Sequence, residues 1–223
     1  MRKVLFLILV LVITNILPAS ESYNEQLVKD ATKGKPEAQT LLGNCYMEGN
    51  GVEVDYEQGV VWYRKAAAQK FIPAVHNLGE CYRYGLGVSK NIKLAMDYYI
   101  ISAKAGYPET HFELGEMYRK GDELDENPTK CVEHYINAAE RGHYKAAFEL
   151  YLLYDVGMYV DKDLIESCKW SIITFYNCPE ELDDNYEELI DICKSFLTTA
   201  EANQAEKRAT LVKQKIDDYL DKQ

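Results

Sequence analysis

Leu42-Gly43, Leu78-Gly79 and Leu114-Gly115 recur at intervals of 36 residues. A strict period of that length restricts a chain to a stacked repeat architecture, because one such unit cannot bury its own apolar face. Tyr46, Tyr82, Tyr118 and Tyr154 keep the same interval, as do Gly49, Gly85, Gly121 and Gly157. Trp62-Tyr63 returns as Tyr98-Tyr99, His134-Tyr135 and Trp170-Ser171, and Ala66-Ala67 returns as Ser102-Ala103 and Ala138-Ala139. Four units hold this register without an insertion.

Each unit reads as two helices, so the fold class is all-α. The first helix begins near Pro36, Pro73 or Pro108; proline suits a first helical turn, where its missing N–H has no partner anyway. It stops at Gly49-Asn50-Gly51-Val52 or Gly85-Leu86-Gly87-Val88, since glycine takes the left-handed conformation that ends helices. The second starts near Asp55, Asn91, Asn127 or Asp163, all good N-cap types. The expected units are 35–70, 71–106, 107–142 and 143–178, the last degenerate, with Tyr151 in the glycine slot. Residues 21–34 read as an N-terminal capping helix. Residues 179–223 read as C-terminal capping helices, one opening on a capping-box-like Asp184 and Glu187. The other carries Ala205, Ala209, Val212, Ile216 and Leu220 on one face.

The first 20 residues predict a secretory signal peptide: Arg2-Lys3, an apolar run from Val4 to Leu17, then Pro18-Ala19-Ser20. A membrane anchor is the rival reading, but that run would span roughly 21 Å at about 1.5 Å per residue, short of a hydrocarbon core of about 30 Å. No later stretch predicts membrane insertion. The expected location is the periplasm or outside the cell, or the endoplasmic reticulum lumen in a eukaryote. Loss of Arg2 and Lys3 would take the net charge from −11 to −13. That charge repels nucleic acid and anionic lipid, and suits a basic protein or peptide partner, or solubility alone.

The pattern Ala38-Gln39-x-x-Leu42-Gly43-x-x-Tyr46-x-x-Gly49-x-Gly51-Val52-x-x-Asp55, followed by Trp62-Tyr63-x-Lys65-Ala66-Ala67, resembles the Sel1-like repeat, a relative of the tetratricopeptide repeat. The second unit matches nearly as well. The third loses the turn glycine, with Gly121-Asp122-Glu123-Leu124. The resemblance covers roughly residues 35–178 and implies a right-handed α-solenoid whose first helices line a concave face. It also implies adaptor or scaffold work in protein complexes. Proteins of similar build include immunity proteins that neutralise a toxin delivered to the periplasm. Cysteine-rich secreted members are reported to bind or hydrolyse β-lactams, but this sequence lacks their regular cysteine pairing.

On that geometry the expected partner-binding positions are Thr40, Asn44 and Met47, then His76, Glu80 and Arg83, then Phe112, Glu116 and Arg119, then Phe148, Leu152 and Asp155. Each trio has i, i+4, i+7 spacing on one helix face. The tyrosine ladder is expected at the seams between units. Of six cysteines, Cys178 and Cys193 are the expected candidates for a disulfide, while Cys45 and Cys81 read as small buried hydrophobes. The Gly-x-Gly turns lack the strand and Gly-Lys-Ser/Thr of a phosphate loop, the four histidines have no metal-ligand spacing, and no nucleophile motif occurs. No catalytic residue, metal or cofactor is therefore expected.

Overall fold

A computed structural model describes residues 23–121, 123–179 and 183–222; the expected leader lies outside them, as do the side chains of Asp184 and Glu187. The described residues form eleven helices and no strand. Helix α1 (Glu25–Thr32) leads into four helix pairs: α2 (Pro36–Glu48) with α3 (Tyr56–Ala67), α4 (Ile72–Tyr84) with α5 (Ile92–Lys104), α6 (Pro108–Lys120) with α7 (Pro128–Ala139), and α8 (Tyr144–Val156) with α9 (Leu164–Asn177). Helices α10 (Asp183–Ser195) and α11 (Thr199–Leu220) pack against α9. The chain is thus an α-solenoid of stacked helix pairs.

The two helices of a unit start by different physics. Every second helix has a side-chain cap: Asp55, Asn91, Asn127 and Asp163 each accept from first-turn N–H groups. The first helices α2, α4 and α6 have no such cap and carry proline in the first turn instead. Between the helices the backbone N–H of each cap residue donates to the carbonyl of the ladder tyrosine: Asp55 to Tyr46 at 2.9 Å, Asn91 to Tyr82 at 2.7 Å, Asn127 to Tyr118 at 3.1 Å and Asp163 to Tyr154 at 3.1 Å. The ladder therefore clamps the turn inside each unit. Its rings also pack within the unit, Tyr82 stacked on Tyr98 at 5.7 Å and Tyr118 on His134 at 5.7 Å. Contact beyond the unit comes from Tyr46, edge-on to Tyr23, and from Tyr82, whose hydroxyl accepts from Arg64 at 2.9 Å.

Helix pairing within a unit depends on one glycine and one tyrosine. A Cβ at Gly43 would stand 2.5 Å from the Tyr63 ring, at Gly79 2.5 Å from Tyr99, and at Gly115 2.6 Å from Tyr135. The bare backbone makes room for the ring. In the fourth unit the roles exchange: Tyr151 stands in the glycine slot and Ser171 in the tyrosine slot. The large ring thus stands on the first helix and the small residue on the second, and both positions of the pattern depart together.

The turn after each first helix seats the unit on its predecessor. Gly51 lies against the Tyr23 backbone, and a Cβ on Gly87 would run into the Tyr56 carbonyl group. Both glycines have positive φ, 78° and 65°. The third unit puts Glu123 here and the fourth Tyr159, whose hydroxyl donates to Glu126 at 2.7 Å. The most extensive core joins the third and fourth units to the C-terminal helices, through Tyr135, Leu150, Trp170, Ile173, Ala209 and Ile216.

Cys178 and Cys193 are not bridged in this structure. Cys178 ends α9, its thiol donating to the Phe175 carbonyl at 3.2 Å. Cys193 is buried and faces Ser171, Tyr151 and Ser167. Ser171 and Ser167 lie about two and three turns back along α9 from Cys178, so the two thiols meet different stretches of that helix.

Candidate interaction face

The twelve expected contact residues lie on the first helices, but the chain already uses many of their polar atoms. Thr40 is buried, its hydroxyl donating to the Pro36 carbonyl at 2.9 Å. Asn44 accepts from the Tyr63 hydroxyl at 2.6 Å, Glu80 from the Tyr99 hydroxyl, and Glu116 from the Tyr135 hydroxyl. One repeated lock thus joins the two helices of each of the first three units. Its acceptor varies with the unit, and in the fourth, where Ser171 replaces the tyrosine, the acceptor slot holds apolar Leu152.

Charge is committed in the same way. Arg83 is 3% exposed and donates to Glu113 at 2.7 Å and Glu123 at 2.5 Å, both in the next unit. Arg119 grips Glu116 through Nε at 3.0 Å and Nη2 at 2.8 Å. Burial would raise the Glu116 carboxyl, but the hydrogen bonds from Arg119 and Tyr135 outweigh it and hold it down at about 2. Arg83 therefore ties the second unit to the third, through a Glu123 that stands where the earlier units have glycine.

The histidines form a second buried network. His76 Nδ1 lies 2.9 Å from the Thr110 hydroxyl, and its ring stacks on Tyr99. His111 donates through Nε2 to the Ala103 carbonyl at 3.2 Å, so its Nδ1 accepts from Nδ1 of His134 at 3.0 Å. Phe112 stacks on His143 at 4.5 Å. Burial pushes His76, His111 and His143 each down to about 4, and His134 down as well.

Asn44, Met47 and Glu80 meet at an open recess of about 270 Å³ between the first two units. Glu48, Asn77, Leu86, Tyr63 and Cys81 complete it. Glu48 is exposed, whereas burial raises the Glu80 carboxyl. Its ionisable side walls are otherwise only Tyr63 and Cys81, so its charge is negative. Glu48 and Asn77 escape the i, i+4, i+7 rule. They lie beside Met47 and His76 in sequence, and only the stacking of α2 on α4 brings them to one opening. At the other end of the face, Phe148 packs on Tyr151 at 5.7 Å, while Leu152 and Asp155 are half-buried.

Among the described residues, no helix is long and apolar enough to cross a membrane. Comparison with curated proteins found no match. A crystal structure of a Sel1 repeat protein from Oxalobacter formigenes superposes with a TM-score of 0.63 at 23% identity, over 79% of this chain and 74% of that one. The crystal structure of c5321, described as a protective antigen present in uropathogenic Escherichia coli strains and displaying an SLR fold, gives 0.61 at 27% identity over 86% of this chain. This chain spans 40% of the length of that antigen. The family model for the Sel1 repeat, a module that generally mediates protein–protein interaction, matches residues 36–71, 72–107 and 108–143. With three matched repeats inside a continuous stack of helix pairs, the chain is a Sel1-repeat protein.

Proposed function

We propose that this protein is a non-catalytic adaptor of the periplasm or the cell exterior, holding a protein partner against the face built from its first helices. The recess between the first two units carries this reading. It joins a thioether and a leucine, Met47 and Leu86, to two carboxylates, Glu48 and Glu80. A lysine or arginine side chain has that same division, an apolar stem and a cationic head. The net charge of −11 favours approach of a basic partner. Residues 1–20 supply the export signal in this reading.

Affinity capture from a periplasmic extract tests it. The Glu48→Lys variant changes an exposed side chain and should fold as the parent does. It is expected to recover the partner at roughly a tenth of the parental yield or less. Equal recovery by parent and variant would remove the recess from the binding surface.

A further inference from the structure

A larger cavity, of about 1010 Å³, opens where each second helix hands over to the next first helix. Its wall repeats with the solenoid: Phe71, Tyr107 and His143 are the N-cap residues of α4, α6 and α8. Helix α11 bounds it. The Tyr219 hydroxyl donates to the Gly106 carbonyl at 3.3 Å, and the Arg141 guanidinium lies over the Tyr219 ring at 5.9 Å.

Charge here runs against that of the molecule. Lys70, Arg141 and Lys145 bring three cations, and Lys70 and Lys145 are exposed. Glu109 is the one lining carboxylate; it lies beside the Tyr107 hydroxyl, and burial raises its carboxyl above the ordinary value. His143 adds no negative charge; its Nδ1 accepts the Ala146 N–H at 3.2 Å. Helices α4 and α6 begin here without a side-chain cap, so their first-turn N–H groups add to the positive potential. The remaining wall is aromatic and proline-rich, with Tyr144, Tyr176, Pro73 and Pro108.

We propose that this cavity docks an acidic peptide segment of a partner protein, with the carboxylates over Lys70, Arg141 and Lys145 and one apolar side chain against the tyrosine wall. A chain of net charge −11 that gathers three cations around one recess is complementary there to an anion. The recess, closed on one side by α11, suits a protruding segment rather than the flat plane of an anionic membrane. The site is separate from the acidic recess on the first-helix face, and neither depends on the other.

Fluorescence anisotropy of the full chain with labelled pentapeptides tests the proposal. The probes are Asp-Glu-Leu-Glu-Asp and its charge-reversed counterpart Lys-Arg-Leu-Arg-Lys. The acidic probe is expected to bind saturably and to weaken as salt is raised. Lys70→Glu combined with Lys145→Glu should weaken it about tenfold or more, while Glu53→Gln, an exposed change that lines neither opening, leaves it unchanged. Should the double reversal lose its helical circular dichroism, Lys70→Gln with Lys145→Gln reads the same contacts and should weaken binding about threefold. Several results would overturn the proposal: no saturable binding of the acidic probe, equal binding of both probes at this site, or affinity untouched by the lysine variants. Preference for phosphatidylserine vesicles over the acidic peptide would also overturn it.

Discussion

At the scale of single residues, side chains that look available for a partner are spent on joining units. Arg83 is the clearest, with two carboxylates of the next unit on a side chain 3% exposed. Arg83→Met leaves Glu113 without its cation and Glu123 with only the longer contact to Lys90 at 3.6 Å, and breaking a buried pair costs about 3 kcal/mol. Thermal or denaturant unfolding should register that loss, and an unchanged midpoint would deny the pair its role. Gly79→Ala is expected to destabilise too. Overpacking against Tyr99 costs roughly 1–3 kcal/mol, against a helix-propensity gain of about 1 kcal/mol; an unaltered or higher Tm would contradict the tight fit. The histidines set a pH dependence. Their folded values lie near 4, below the ordinary 6.5, so the unfolded chain binds more protons between those limits. Stability should therefore fall as pH drops from about 6.5 towards 4. His134→Tyr restores the aromatic type found at Trp62 and Tyr98 and removes one half of the His111 pair. Denaturant midpoints between pH 7 and pH 5 should then vary less than in the parent, and an equal slope would exclude the pair as a contributor.

Among the elements, the helices and their starts were legible in the sequence, because capping and glycine termination are local physics. Asp55, Asn91, Asn127 and Asp163 are N-caps as expected, and the first helices end at Gly49, Gly85, Gly121 and Gly157. The tyrosine–acceptor lock was present in the sequence as well. Asn44, Glu80 and Glu116 are polar where Tyr63, Tyr99 and Tyr135 stand, and apolar Leu152 comes in where Ser171 replaces the tyrosine, a link across 19 residues that only helix pairing makes visible. Variation between units thus came partly from internal partners. The Arg83–Glu123 pair and the large cavity were not legible, since both join positions 40 or more residues apart through stacking that no local pattern encodes. Helix α11 shows what an end helix does. It buries Ala205, Ala209, Val212 and Ile216 against the last unit and starts with a capping box at Thr198 and Glu201. Removing residues 197–223 should expose the apolar face of α9. Dye binding by the shortened chain and a broadened, less cooperative melt are expected; a sharp parental melt would show that the solenoid needs no such cover.

For the molecule as a whole, stacking leaves two openings of contrary sign, the acidic recess between the first units and the basic cavity beside α11. Net charge, a single sum over the chain, pointed to a basic partner and could not reveal the second. The same stacking fixes the order of the units. Repeat arrays change length by recombination, and identical modules would survive the loss of one. Here the slot that holds Arg83 in the second unit holds Met47 in the first. Excising residues 72–107 would bring a thioether opposite Glu113 and Glu123, stranding two carboxylates in a joint built around a guanidinium. Evolution can lengthen this rod at its ends, but its middle joint admits no deletion without a compensating change of charge.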